Sequence, residues 1–298
     1  GSGFHELTIY VIDAESPISW ESPSALYRTV KRSFIKSILQ RHSHVLGHMI
    51  FFLESDLLKE PLWMGMTMRY NLEMLTQVFF KKAGLSVLFF PFKGKLESRN
   101  LLESDLKFNI KRKKVAFITF HINERSVKEI LEFLSVFQTK GSENRAPSDF
   151  YGPAYWPLFE GEGSSCSSLC MAVLETAGIY MEGREQWIEK MKIPLDLIGG
   201  DLNYGKKIAL RKIKRWKNWY NGKGKSDTDY IRFEVYDPIL LKKWITQTAE
   251  RQSANGGKRN NPPGFTLDYT EVQPLDLKSI MKKRPETSLF IRPFYEKL

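Results

Sequence analysis

One stretch of this chain, GSSCSSLCMAVLETAGI at residues 163–179, carries its strongest structural signal. Small polar residues come first, an apolar run follows, and a glycine closes the stretch, which predicts a loop, a helix and a helix stop. Cys166 falls at the first turn of this helix. Free backbone N–H groups and the positive end of the helix dipole favour a thiolate at such a position. Cys166 is therefore a candidate nucleophile, provided that a base can reach it.

The composition indicates an ordinary folded protein. The chain has 298 residues, of which 42% are hydrophobic and 13% aromatic, enough to bury a core. We expect a single domain over 1–298, and no apolar run approaches the roughly 18 residues of a membrane span. Two cysteines exclude a disulfide scaffold, and we expect Cys166 and Cys170, one helical turn apart, to be free thiols.

The pattern of apolar residues predicts a mixture of strands and helices, the α+β class. Strands are predicted over 7–12, 48–53, 85–90, 115–121 and 230–236. Helices are predicted over 25–39, with Ser24 as N-cap, and over 70–82, 124–137, 184–191, 206–220 and 239–251. Polar segments rich in Gly, Asn and Pro at 140–153 and 253–264 are predicted loops.

A thiol nucleophile needs a base, and histidine is the usual one. The chain has five histidines, and His48 is the best placed because it follows a glycine and opens a hydrophobic strand. A strand end holds a side chain rigidly. His44 lies in the same cluster and is either a contributor to the site or a surface loop residue.

These features resemble a known superfamily. A Gly-His that opens a hydrophobic strand, followed over a hundred residues later by a Cys-Ser-Ser-Leu helix that ends Leu-x-x-Ala-Gly-Ile, resembles the circularly permuted branch of the NlpC-like papain-fold superfamily. That branch includes bacterial cell-wall peptidases and amidases and acyltransferases of the lecithin:retinol type. The resemblance covers mainly residues 44–54 and 160–180, and the histidine precedes the cysteine, as the permuted order requires.

The resemblance implies a site and a fold. Cys166 would be the nucleophile and His48 the base, while the third residue would lie on a later strand, which points to His121, with Glu54 as the weaker candidate. The implied fold is a papain-like core of a small antiparallel sheet packed on the nucleophile helix, over about 5–182. A basic elaboration with extra helices would follow over about 183–298. Ser165 stands where many members of the family have Asn.

Several of these residues also allow other interpretations. Cys166 could be a small core residue, as we expect for the deeper Cys170. Tyr155, in the aromatic loop before Cys166, either lines a substrate groove together with Ser165 or packs this segment onto the domain. His42, His44 and His48 could supply imidazoles to zinc, but their spacing matches no closed structural site. We expect no metal and no cofactor.

The charge is the other notable feature. The net charge of +11 favours anionic partners, and residues 206–225 hold nine Lys or Arg and no acid. These residues either bind an anionic surface, such as a membrane or a cell-wall polymer, or pack on the body through Trp216 with a solvated basic face. The residues expected to meet such a surface are Lys206, Arg211, Lys214 and Arg215. No nucleic-acid recognition motif accompanies the charge, so nucleic acid is not favoured.

Together the residues and the resemblance lead to one functional hypothesis and two alternatives. The hypothesis is a thiol-dependent hydrolase that cleaves an amide bond in a peptide, for example a cell-wall peptide. The alternatives are an acyltransferase or lipid amide or ester hydrolase that uses the same two residues, and a non-catalytic papain-like module that binds an anionic surface. The start Gly1-Ser2-Gly3 resembles a cloning scar, so a signal peptide could have been removed from a protein of the cell envelope or a secreted protein.

Overall fold

The computed structural model describes residues 3–40, 42–141, 144–257 and 260–284. Gly1 and Ser2, parts of the predicted loops at 140–153 and 253–264, and the last residues of the chain lie outside the described residues. Nine strands are described: β1 His5–Ile12, β2 His48–Ser55, β3 Leu62–Met68, β4 Phe92–Leu96, β5 Val115–His121, β6 Phe150–Tyr151, β7 Ile188–Pro194, β8 Tyr230–Tyr236 and β9 Gly264–Asp268.

Eight α-helices connect these strands in the described part of the chain. One of them, α2, continues into a π-helical turn over Thr76–Phe80. The helices are α1 Pro23–Ile38, α2 Asn71–Leu75, α3 Arg99–Lys111, α4 Glu124–Gln138, α5 Cys166–Thr176, α6 Leu210–Arg215, α7 Pro238–Ala254 and α8 Leu277–Ile280. None of the helices described is long and apolar enough to cross a membrane.

The fold is mixed α+β, as the sequence predicts, around a mostly antiparallel sheet. Seven of the described strands form it in the order β6-β4-β3-β2-β1-β5-β9, with only β5 and β9 parallel. Alternate residues of β1 and β2, among them Leu7, Ile9 and Phe51, are buried in one core with α4 and α5. The opposite face buries Ile50 against α3. Helix α5 is thus held across β2 and β3, where it presents its first turn to the beginning of β2.

The sheet is larger than the small sheet expected. Strand β9 comes from the C-terminal part of the chain and extends the sheet beside β5, while α7 packs against β1, β5 and β9. The rest of that part forms an antiparallel pair, β7 and β8, which shares a second core with Ile208 and Ile213 around α6. The C-terminal region therefore adds strands as well as helices.

Three predicted elements are wrong. The apolar run at 85–90 is a 3₁₀ turn over Leu85–Leu88, since a short continuous apolar run does not distinguish a strand from a helical turn. The predicted helix at 184–191 is a 3₁₀ turn followed by β7, in which buried Met191 and Ile193 alternate with exposed lysines.

The predicted basic helix at 206–220 is only the six residues of α6. None of its six residues is acidic, so repulsion between its like charges is not offset within the helix, and Asp196, outside it, pairs with only one of its cations, Lys212, at 3.5 Å. It ends where the Trp216 carbonyl accepts a hydrogen bond from the backbone N–H of Ser24 at the start of α1. Trp216 packs against the second core, so packing on the body through Trp216 is observed.

Candidate active site

Cys166 is the first residue of α5, as the sequence predicts. The helix begins there because the Ser165 side chain caps it by accepting a hydrogen bond from the backbone N–H of Ser168, and the Ser168 hydroxyl accepts one from the N–H of Ser165. Both cysteines are free thiols. Cys166 retains 6% of its surface exposed while Cys170 has none, and burial raises the pKa of the Cys170 thiol well above its usual range. The two thiols therefore differ in accessibility, and Cys170 is a core residue.

His48 is brought to Cys166 by the sheet. It is the first residue of β2, and its ring makes a side-chain hydrogen bond with the Cys166 thiol. Its other partner is Glu97, whose Oε2 lies 2.7 Å from His48 Nε2. Because Nε2 is taken by Glu97, Nδ1 is the ring nitrogen left to face the sulfur. Cys166, His48 and Glu97 thus form a continuous chain of contacts, the arrangement that a nucleophile, a base and an orienting carboxylate would need.

Burial and charge act in opposite directions on His48. Burial disfavours the imidazolium and lowers its pKa, while the Glu97 carboxylate and the Cys166 sulfur favour it, and the balance raises the pKa of His48 well above 6.5. The His48 and Glu97 side chains are only 5% and 4% exposed, so solvent screens their interaction little. The protonated form of His48 is therefore favoured beside the thiol.

Gly65 makes the contact between His48 and Glu97 possible. It lies on β3, the strand between β2 and β4, and its carbonyl accepts a hydrogen bond from the backbone N–H of Glu97. A Cβ at position 65 would lie 2.6 Å from Glu97 Oε2 and 3.2 Å from His48 Nε2. The side chains of His48, on β2, and Glu97, directly after β4, can meet across β3 only because residue 65 has no side chain.

His44 links His48 to a second carboxylate, that of Asp105. The His44 ring stacks on the His48 ring with the centroids 4.5 Å apart, and His44 Nε2 lies 3.1 Å from Asp105 Oδ2. Asp105, on α3, also hydrogen bonds His42. Burial and the nearby charge of His48 lower the pKa of His44, so His44 stays neutral and stacks on a protonated His48 without repelling it. His44 is therefore part of the site and supports its histidine.

Tyr151 contacts Cys166 from the other side. It ends β6, and its hydroxyl makes a side-chain hydrogen bond with the thiol. Burial, together with the negative charges on Cys166 and Glu97, raises the pKa of the Tyr151 phenol well above 10. The phenol thus keeps its proton and remains a hydrogen-bond donor at the sulfur. Sequence analysis favoured Tyr155 as the aromatic residue at the site, and the structure places Tyr151 there.

The first turn of α5 offers further donors. The backbone N–H groups of Cys166 and Ser167 donate to no acceptor within the described ranges, as expected for the first residues of a helix. Donors of this kind, beside a nucleophile at a helix start, can stabilise an oxyanion that forms on the attacked carbonyl.

Tyr155 and Ser165 lie together in a cleft beside α5. The cleft has a volume of 330 Å³ and is also lined by Ser167, Tyr236 and Arg284. Tyr155 is 2% exposed, and its hydroxyl donates to the Phe89 carbonyl at 3.0 Å. Both residues therefore line a cleft next to α5. Tyr155 is also buried and packs its loop onto the body of the protein.

His121 does not reach the site, which corrects its prediction as the third residue. It ends β5, opposite Glu6 of β1, whereas His48 pairs with Ile12 at the other end of β1. Glu6 and Ile12 are six positions apart along β1, or about 20 Å. His121 Nε2 instead lies 2.9 Å from Glu6 Oε1, with 47% of the side chain exposed. Glu54, the weaker candidate, lies at the same distant end of β2.

Glu97 and Asp105 are the residues that sequence analysis missed. Glu97 was missed because β4 was not predicted, and the third residue was sought on β5 instead. Two signals point to it in retrospect: Gly65 within an otherwise apolar strand, and an acid directly after the alternating β4.

The histidine cluster does not assemble a metal site in the described part of the chain, where no group of three or more His, Cys, Asp or Glu side chains is arranged to hold a metal ion. The three imidazoles of the zinc alternative are each paired with a carboxylate: His42 and His44 with Asp105, and His48 with Glu97.

Comparison of the chain with protein-family models, with curated proteins and with solved structures found no significant match.

Proposed function

We propose that this protein is a thiol-dependent hydrolase that cleaves an amide bond of a peptide through Cys166 and His48, on a permuted papain-like core. The observation that carries the proposal is the buried chain of contacts from Cys166 to His48 to Glu97. The order of His48 before Cys166, the helix that begins at the cysteine, and the sheet that carries the histidine agree with the resemblance noted from the sequence.

The reaction begins with an ion pair between the Cys166 thiolate and the His48 imidazolium. The sulfur attacks the carbonyl carbon of the amide, and the carbonyl oxygen becomes an oxyanion. The N–H groups of Cys166 and Ser167 and the Tyr151 hydroxyl are positioned around the sulfur to donate to that oxyanion. Glu97 holds the imidazole ring in the orientation that faces the sulfur.

Collapse of the oxyanion breaks the C–N bond. The His48 imidazolium gives its proton to the leaving amine, and a thioester remains on Cys166. Neutral His48 then takes a proton from water, and the hydroxide attacks the thioester carbonyl. Collapse of this second oxyanion breaks the C–S bond, the carboxylic acid leaves, and the Cys166 thiolate and the His48 imidazolium are restored. An acyltransferase forms the same thioester and passes the acyl group to an acceptor other than water.

The first test measures thiol reactivity, because it needs no knowledge of the substrate. Iodoacetamide is added at about pH 6.5, where an ordinary thiol with a pKa near 8.5 reacts slowly, and alkylation at each cysteine is followed by peptide mass spectrometry. We expect Cys166 to be alkylated faster in the wild type than in His48→Gln. Cys170→Ala is the matched control and should leave the rate at Cys166 unchanged. Equal rates at Cys166 in the wild type and His48→Gln would refute the ion pair.

The second test measures turnover. Purified cell-wall peptides and a set of peptide anilides are incubated with the full chain, and the products are analysed by mass spectrometry. We expect new amino termini with the wild type and with Cys170→Ala, and none with Cys166→Ser. If the acyl group is transferred to an added amine and no free acid forms, the activity is acyl transfer and not hydrolysis. A thiol that is reactive in the first test but releases no product and forms no thioester would favour the non-catalytic alternative.

A further inference from the structure

Helices α1 and α6 enclose a basic cleft on the surface. The cleft has a volume of 530 Å³, and it is lined by five cations and no acid. The five are Arg28, Lys31, Arg32 and Lys36 of α1 and Lys214 of α6. Sequence analysis assigned the basic surface to residues around α6, whereas four of the five cations here come from α1.

The charge of this cleft is not neutralised within the protein. Helix α1 contains no acidic residue. Within the described ranges, none of the five cations lies within 4.0 Å of a carboxylate, and Lys214 instead lies over the Tyr27 ring, with Nζ 5.4 Å from its centroid. Lys128 on α4, by contrast, pairs with Glu124 one turn away. Unpaired cations at this density repel one another, so an anionic partner that neutralises them is favoured.

The same helix also exposes an apolar end. Ile35, Ile38 and Leu39 are 52%, 65% and 83% exposed, and they occupy the last turn of α1 beside Lys36. The inner face of α1 is fixed to the body by the buried Leu26 and by the Ser33 hydroxyl, which donates to the Val45 carbonyl. The helix therefore presents cations along its outer face and aliphatic side chains at its end, two features that an anionic membrane interface can bind.

We propose that the outer face of α1, together with Lys214, docks this protein onto a membrane rich in anionic lipid. The cations neutralise lipid phosphates, while Ile35, Ile38 and Leu39 enter the boundary between headgroups and acyl chains. The exposed Arg211 and Arg215 on α6 extend the basic surface. Lys206, which precedes α6, lies 3.9 Å from Asp196 and adds less.

The apolar end favours a membrane over a nucleic acid. A single strand of RNA or DNA is held by aromatic rings on which bases stack, in addition to cations. The ring in this cleft, Tyr27, is already covered by Lys214, and the exposed apolar residues beside the cations are aliphatic. The proposal does not depend on the activity of Cys166.

The test is sedimentation of the full chain with lipid vesicles. We expect the wild type to bind vesicles of phosphatidylcholine with about 30% phosphatidylglycerol and not to bind phosphatidylcholine alone, since the basic residues need anionic headgroups. Reversing the charge in Lys31→Glu, Arg32→Glu, Lys36→Glu should weaken binding by about tenfold or more. The apolar variant Ile35→Ser, Ile38→Ser, Leu39→Ser should bind the anionic vesicles more weakly than the wild type at about 0.15 M salt, while keeping its need for anionic lipid.

The matched control carries the same change of charge elsewhere. Lys107, Lys140 and Lys243 are exposed residues on α3, after α4 and on α7, and their triple change to Glu should leave vesicle binding unaltered. Thermal melting establishes that each variant is folded. An equal loss in the control, or equal binding of the wild type to phosphatidylcholine alone, would overturn the proposal. If short single-stranded RNA displaces the protein from vesicles, and the apolar variant binds vesicles as well as the wild type does, the partner of this cleft is a nucleic acid and not a membrane.

Discussion

Glu97 Oε2 lies 2.7 Å from His48 Nε2, although the two residues are 49 positions apart in the chain. The contact crosses β3, since His48 begins β2 on one side of it and Glu97 directly follows β4 on the other. It sets both the orientation and the charge of His48, and through His48 it acts on Cys166.

Replacing Glu97 by Gln should move the pH dependence of the site. The Glu97 carboxylate raises the pKa of His48, so its removal lowers that pKa and the imidazolium is lost at lower pH. We expect the alkaline limb of kcat/KM, which needs the imidazolium to protonate the leaving amine, to shift to lower pH. Glu60→Gln, at a side chain that is 81% exposed, is the control. An unchanged limb in Glu97→Gln would show that the carboxylate does not govern His48.

Replacing Gly65 by Ala should separate His48 from Glu97. The new Cβ would lie 2.6 Å from Glu97 Oε2, so the carboxylate must move. We expect a loss of about 1–3 kcal/mol in the free energy of unfolding, together with a pH profile like that of Glu97→Gln. Gly141→Ala, whose Cβ would meet its nearest atom at 3.7 Å, should change neither quantity. Wild-type pH behaviour in Gly65→Ala would contradict the role given to Gly65.

Removing the Tyr151 hydroxyl should lower kcat more than it lowers the alkylation rate at Cys166. Tyr151→Phe keeps the buried ring and deletes a donor aimed at the sulfur. If that donor stabilises the oxyanion, kcat falls by about 10²-fold while KM changes little. Tyr10→Phe, at a half-buried tyrosine of β1, is the matched control. An unchanged kcat would remove Tyr151 from the catalytic residues.

His44 should act on His48 through its ring. His44→Phe keeps a ring stacked on His48 but cannot hydrogen bond Asp105, whereas His44→Ala removes both. We expect Phe at this position to preserve most of the alkylation rate at Cys166 and Ala to lower it, with both variants less stable because Asp105 is buried. Equal rates in the two variants would mean that stacking does not position His48.

Asp237 should make the stability of the protein fall with rising pH. It caps α7 by accepting a hydrogen bond from the Ile239 N–H at 2.8 Å, and burial raises its pKa from 3.8 to about 6. Because the folded pKa exceeds the unfolded one, its contribution to stability is complete below about pH 3.8 and is lost as the pH rises through about 6.

The variant Asp237→Asn keeps an oxygen acceptor for the cap and never ionises. We therefore expect it to be more stable than the wild type by about 1–3 kcal/mol near pH 8, and close to it near pH 4, in urea unfolding. Asp268→Asn is the control. Hydrogen bonds from Thr270 lower the pKa of Asp268, so the effect of this variant on the free energy of unfolding should change with pH in the opposite direction. A gain for Asp237→Asn that is the same at both pH values would contradict the titration.

Local sequence determined the elements whose signals lie within a few residues of one another. Ser165 caps α5, Asn123 caps α4, and alternation in β1 and a continuous apolar run in β2 mark strands, since each signal depends on neighbours along the chain. These signals placed Cys166 at a helix start and His48 at a strand end. They failed where an apolar or basic run fits two structures, as in α6, whose end is set by a contact with α1.

Tertiary structure alone decided which side chains meet. Glu97 reaches His48 because β3 lies between their strands with a glycine at the crossing point, and Tyr151 reaches Cys166 because β6 pairs with β4. His121 is excluded by strand register, which places it at the far end of β1. Pairing order and register arise from contacts over long sequence separations, and no local pattern around a single residue specifies them.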